Sequence, residues 1–248
     1  MLNDVYGQGP EGAPNDALRG FDVRPDRSDF ARAFADWQPR AVVFDCDGLL
    51  MDTESLWIQT QRIVSERHGV LFDTDLQHRL VGLPASRIGP VIAARAGKDP
   101  DSLVEELLQV NMTMVTQSAA PMPGALFFVA AVSLRVPVAV ASNSARCILD
   151  QALLRGAFPG GFSVTVSADE VAHPKPEPDV YLAAVDALNM YPEDCLAFED
   201  SEAGAAAARS AGLKVIAVPA SHDQQPTADL ICDSLEAAAL LDWVDSWA

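Results

Sequence analysis

The sequence predicts an α/β protein: a Rossmann-like three-layer core around a parallel sheet, with an all-helical cap domain inserted into it. Three observations carry this reading. From residue 40 onward, short unbroken apolar runs alternate with helical patterns, the grammar of βαβ units. Between Glu54 and Pro123 the strand signals vanish and only helical patterns remain. Acidic and hydroxyl residues end several of the apolar runs, at the sheet edge where open parallel sheets bind ligands.

Taken in order, residues 1–39 form an arm punctuated by glycine and proline, and its early part reads as flexible. Phe30, Phe34 and Trp37 then recur at i, i+4 and i+7, which predicts a short helix packed on the main body. The expected strands are Ala41–Asp45, Val136–Ser142, Ser163–Ser167, Cys195–Asp200, Lys214–Pro219 and Ala228–Cys232. Continuous rather than alternating apolar runs are what strands buried on both faces require. Helices are expected at Arg146–Arg155, Asp179–Asn189, Ala203–Ala211 and Ser234–Trp243. The inserted block reads as helices Leu56–His68, Asp75–Val81, Ser86–Ala96 and Pro100–Gln117. The domains are therefore a core of 40–55 and 125–248 and a cap of 56–124, with borders at Asp52-Thr53-Glu54 and Pro121–Gly124.

Composition excludes several functions. The 248 residues carry 17 Lys+Arg against 35 Asp+Glu, a formal net charge of -18. Nucleic acid and anionic membranes reward clustered cations and are not expected partners. The acidity lies mainly in the core, whereas half of the basic residues beyond residue 40 fall in the cap. Cys46, Cys147, Cys195 and Cys232 show no zinc-binding spacing and read as free buried thiols suited to a reducing compartment. The apolar run Ala125–Leu134 is too short to span a bilayer. With no secretory signal at the N-terminus, a cytoplasmic protein is expected.

Four segments carry chemistry: Asp45-Cys-Asp47-Gly48, Ser142-Asn143-Ser144, Pro174-Lys175-Pro176, and Glu199-Asp200. Brought to one edge, so many carboxylates repel unless a cation lies among them. Hard oxygen donors favour Mg²⁺. Gly48 permits a tight turn that re-aims Asp47 away from Asp45, so that one carboxylate can attack phosphorus while the other handles protons. The Ser142 hydroxyl and Lys175 would hold phosphoryl oxygens, helped by backbone N–H groups. Singly, each segment has a structural explanation. Ser142 could cap the following helix, Lys175 could be a solvated loop residue, and Glu199-Asp200 could be a helix-start acid pair.

In combination, DCDGLLMDTE, VAVASNS, KPEPDVYLAA and LAFEDSEAGAAAARSAG resemble the four motifs of the haloacid dehalogenase-like hydrolase superfamily. The resemblance implies a mobile helical cap, Asp45 as nucleophile and Asp47 as general acid/base. It implies Ser142, Asn143 and Lys175 at the phosphate, and Mg²⁺ held by Asp45, the Asp47 carbonyl and Asp200 with Glu199 assisting. An acid at position 47 implies phosphate-ester chemistry rather than dehalogenation. The stretch DGLLMDTESLW is similar to small-sugar-phosphate phosphatases and β-phosphoglucomutase-like members. The mutase carries His where Trp57 stands here, so hydrolysis of a small phosphate ester is expected over phosphoryl transfer. A phosphomutase remains the alternative, and a non-catalytic phosphoacceptor or binding protein is the alternative from another class. In the cap, Trp57 and Arg87 (on VGLPASRIG) are the candidate substrate contacts, with Arg62 and Arg79 as further cations. For Trp57, packing in the cap core is the competing role. The sequence leaves the substrate and the oligomeric state open.

Overall fold

The computed structural model describes residues 25–80, 83–220 and 224–247. Most of the predicted arm, and Val81 and Gly82 of the cap loop, lie outside the described residues. The strands are β1 (Ala41–Phe44), β2 (Val138–Ala141), β3 (Val164–Val166), β4 (Cys195–Glu199), β5 (Lys214–Ala217) and β6 (Leu230–Ile231). All pair in parallel, in the order β3-β2-β1-β4-β5-β6. The chain thus starts in the middle, builds outward to β3, then crosses β1 to build the other half. This is the doubly wound order, and its reversal leaves a crevice between β1 and β4 at their carboxyl ends.

Alternation along the strands divides the core. Val42, Phe44, Val138, Val140, Leu196, Phe198 and Ile216 point to one face. There they meet α1 (Arg27–Phe34), α6 (Ala125–Ser133), α7 (Arg146–Gly156) and α10 (Ala238–Asp245). Ala41, Val43, Ala139, Ala141, Cys195 and Ala197 point to the other. Their small side chains let α8 (Asp179–Ala187) and α9 (Glu202–Ser210) lie close to the sheet. Helix α6 is the apolar run Ala125–Leu134, which its composition alone did not mark as a helix. It buries Ala125, Phe128, Val129 and Val132.

The predicted short helix at the end of the arm is α1, capped by Asp26, whose carboxylate accepts from the N–H groups of Ser28 and Asp29; it ends at Phe34, so Trp37 lies beyond the helix rather than on its face. Phe34 stacks on Trp243 of α10 with centroids 4.6 Å apart, and the Trp37 indole N–H donates to the Glu193 carbonyl at 3.2 Å.

The insert comprises α2 (Glu54–Arg67), α3 (Thr74–Leu80), α4 (Ala85–Ala96) and α5 (Pro100–Ser118). It has its own core of Val64, Leu76, Leu80, Ile88, Ile92, Leu103 and Leu107. The far end of α5 departs from the sequence boundary, because Val115 and Ala119 belong to the core of the main body. The two connecting segments run side by side: the Asp52 N–H donates to Ala120 O and the Met122 N–H to Leu50 O, both at 2.9 Å. All four cysteines are free. Three are buried, but Cys147, on the outer side of α7, is exposed, against expectation. Among the described residues no helix is long and apolar enough to cross a membrane.

Candidate active site

Register builds the site. Phe44 pairs with Phe198, so the next residues, Asp45 and Glu199, emerge side by side at the crevice between β1 and β4. The Asp45 N–H donates to Phe198 O at 2.9 Å, extending the ladder by one bond. Ser142 follows β2 on the other flank of β1, its N–H donating to Val166 O at 3.0 Å. Lys175 arrives from the loop after β3. Sequence separations of 24 to 130 residues are thereby closed to hydrogen-bond distance.

Lys175 is the hub. Its Nζ donates to Asp45 Oδ1 at 2.5 Å and to Glu199 Oε1 at 2.6 Å, and all three side chains are almost wholly inaccessible. Burial works against the ammonium, but Asp45 and Glu199 outweigh it and raise its pKa, so it stays charged. Lys175 is therefore no solvated loop residue. Its backbone is clamped as well: Asn143 Nδ2 donates to Lys175 O at 3.1 Å and Asn143 Oδ1 accepts the Lys175 N–H at 2.9 Å. Both polar atoms of the Asn143 side chain are thus engaged on the Lys175 loop.

Asp47 lies apart from this cluster. Its Oδ1 accepts from Thr53 Oγ1 at 2.6 Å, and its Oδ2 from Ser142 Oγ at 2.6 Å and Ser144 Oγ at 3.0 Å. Ser142 does not cap α7, whose N-cap is Ala145 with no side-chain cap. The turn between the two aspartates depends on Gly48. Its φ of +85° suits glycine, and a Cβ there would fall 2.3 Å from Asp200 Oδ2. Glu199 and Asp200 also lie outside a helix start, since α9 begins at Glu202 behind the N-cap Ser201.

Asp45, Glu199 and Asp200 offer oxygens within 4.8 Å of one another. Burial pushes Asp45 well above the usual carboxylate range, Lys175 opposes this, and the neighbouring carboxylates add to the rise. Asp200 is pushed up to about 8 by burial, then by Glu199 and Glu54. Three buried carboxyl groups facing one ammonium can ionise together only if further positive charge joins them, and the donors are hard oxygens only. This set fits Mg²⁺. The Asp47 carboxylate is not among the three, leaving only its carbonyl for a metal.

The cap candidates are less engaged. Trp57 is half-buried and packs against the cap core, its indole N–H donating to Leu83 O at 3.4 Å. Arg87 on α4 is exposed, as are Arg62 and Arg79; the Arg62 guanidinium lies over the Phe72 ring. Four residues of the site received no role from the sequence. Thr53 and Ser144 lie inside the motif segments, and only the fold shows that both serve Asp47. Glu54 starts α2 and its charge acts on Asp200. Tyr181 lies inside the stretch KPEPDVYLAA but received no role there, reading only as an aromatic on the apolar face of α8.

A carboxylate pair, a buried lysine and an acidic oxygen cluster thus meet at the switch point of a doubly wound sheet, where such folds place their ligand sites. Residues 42–218 match the family described as haloacid dehalogenase-like hydrolase, and the chain belongs to it. Among curated proteins it is 37% identical to the phosphorylated carbohydrates phosphatase of Thermotoga maritima, over 71% of this chain and 83% of that one. It is 32% identical to the fructose-1-phosphate phosphatase of Escherichia coli, over 71% and 95% respectively. A hydrolase of this family from Deinococcus radiodurans, solved with bound phosphate and sodium, superposes with a TM-score of 0.67 at 26% identity, covering 85% of this chain and 98% of that one. At 21% identity and a TM-score of 0.69, a β-phosphoglucomutase from Clostridium difficile shares the fold, covering 84% of this chain and 96% of that one. These relationships make the protein an enzyme of the phosphoric monoester hydrolase class.

Proposed function

We propose that the protein is a Mg²⁺-dependent phosphatase that hydrolyses a small phosphorylated metabolite, a sugar phosphate foremost, through an aspartyl-phosphate on Asp45. The observation that carries the reading is the division of labour at the turn: Asp45 is bound to Lys175 while Asp47, two residues on, is held by three hydroxyls. Two carboxylates in such different surroundings suit a nucleophile and a proton carrier.

The Asp45 carboxylate attacks phosphorus, forming an acyl phosphate as the bond to the alcohol oxygen breaks. Asp47 donates its proton to that leaving oxygen. It then takes a proton from the water that attacks the acyl phosphate, releasing inorganic phosphate and restoring Asp45. Lys175 has one N–H left for a phosphoryl oxygen after serving Asp45 and Glu199. When Asp47 turns to the leaving oxygen it frees the Ser142 hydroxyl for a phosphoryl oxygen, and we assign the backbone N–H of Asn143 to the same group. Asp45, the Asp47 carbonyl and Asp200, with Glu199 assisting, would hold Mg²⁺, which when bound offsets the charge of the phosphoryl oxygens.

The sugar-phosphate assignment draws on the carbohydrate and fructose-1-phosphate phosphatases among the relatives. Hydrolysis is favoured over mutase-type transfer because position 57 carries an indole, not an imidazole. In the cap, Trp57 and Arg87 are the residues we assign to substrate selection, and a cytoplasmic location accords with three buried free thiols. Release of free phosphate from a panel of sugar phosphates, with and without EDTA, tests the reading. Asp45→Asn is expected to abolish turnover. Retention of most activity by Asp45→Asn would overturn the mechanism. Isomerisation of a hexose 1-phosphate without free phosphate would establish the mutase instead.

A further inference from the structure

We infer that Tyr181 is a positioning residue that sets the Lys175–Glu199 pair and, through it, the acidic centre; this role rests on the phosphatase reading above. Tyr181 stands on α8, beneath the sheet rather than on the ligand-binding edge, and is completely buried. Its hydroxyl donates to Glu199 Oε1 at 2.6 Å, the same oxygen that accepts Lys175 Nζ at 2.6 Å. That ammonium lies over its ring, 5.0 Å from the ring centroid. One side chain thus holds both partners by different forces: a hydrogen bond fixes the carboxylate, and the ring quadrupole attracts the cation.

The consequence follows from how the oxygens of Glu199 are shared. Oε2 accepts from the Asp200 N–H and the Ser201 hydroxyl, each at 3.2 Å. Oε1 takes both the phenol and the ammonium. With the phenol in place, Glu199 is satisfied while Lys175 remains divided between it and Asp45. Without the hydroxyl, Lys175 is, among the described residues, the donor left to Oε1. The ammonium is then drawn from Asp45, and the carboxylate is freer to swing among the oxygens of Asp45 and Asp200. Packing alone does not call for the hydroxyl, because phenylalanine would fill the same space without burying a polar group.

Tyr181→Phe in the full chain isolates this role, since it keeps the ring and the cation contact. The variant is expected to keep its circular dichroism spectrum. In Mg²⁺ titrations followed by thermal shift without substrate, its midpoint is expected to move about tenfold, the scale of partners that orient metal ligands. On p-nitrophenyl phosphate, kcat is expected to fall about tenfold while KM changes less than about twofold. In a Glu199→Gln background the same substitution is expected to add nothing, because its effect passes through that carboxylate. Unchanged Mg²⁺ midpoint and kcat, or full additivity with Glu199→Gln, would overturn the proposal. Should the wild type bind Mg²⁺ but release no phosphate from any ester, the phosphatase reading fails, and the midpoint shift alone still decides the role of Tyr181.

Discussion

The carboxylate of Glu199 rests against the bare Cα of Gly204: a Cβ placed there would fall 1.9 to 2.0 Å from its carboxyl atoms. Gly204 lies in the first turn of α9, where its N–H donates to the N-cap Ser201 at 3.1 Å. Glycine within a helix costs about 0.5–1 kcal/mol relative to alanine, so the position is held by space rather than by propensity. Gly204→Ala is expected to displace Glu199 and, with it, Lys175. A misplacement on that scale costs on the order of a hundredfold in kcat/KM. A phosphate-release assay checks this, and near-wild-type turnover would show that the carboxylate can relocate freely.

Proton and metal compete at Asp200. Its pKa is raised from 3.8 to about 8, so in the metal-free protein the folded chain holds a proton across that window that the unfolded chain has released. Stability of the metal-free protein is therefore expected to fall as pH rises between about 4 and about 8. Mg²⁺ must displace the proton at the lower end but not at the upper end. At one fixed Mg²⁺ concentration, the rise in melting temperature is expected to be larger at about pH 8.5 than at about pH 6. Equal shifts at the two pH values would contradict this account.

Asn143 holds the Lys175 loop through a reciprocal pair of amide contacts. At about 0.5–1.5 kcal/mol per hydrogen bond, Asn143→Ala is expected to cost about 1–3 kcal/mol in urea denaturation. Because the ammonium is placed by that loop, kcat/KM on p-nitrophenyl phosphate is expected to fall about tenfold as well. Loss of stability without loss of activity would show that Lys175 is placed by its ion pairs alone.

Phe34 ties α1 to the body through its stack on Trp243 and through burial in the main core. Phe34→Ala is expected to destabilise the whole chain by about 3–5 kcal/mol, the usual cost of emptying a buried aromatic site. A single urea transition shifted to lower concentration is the expected readout. An unshifted transition would mean that α1 contributes nothing to the stability of the core.

Much of the fold was legible because its signals are local. Unbroken apolar runs such as Ala41–Phe44 and Val138–Ala141 cannot be satisfied except between two layers, and the helical block after Glu54 has a period of its own. The run Ala125–Leu134 was the exception. Being apolar on nearly every side it shows no period, and only its packing under β2 and α10 marks it as α6. Ser142, Lys175 and Glu199-Asp200 each had an ordinary local explanation, and the observed partners displace all three.

What the sequence determined by itself was the chemistry available: which carboxylates, which hydroxyl and which lysine stand at the ends of which strands. What the tertiary structure decided was who touches whom. The register of β1 on β4 sets Asp45 beside Glu199, the crossover brings Lys175 between them, and α8 places Tyr181 beneath both. Such pairings join residues up to 130 positions apart. They depend on strand order and helix packing, which sum over the whole chain and leave no mark at any one position.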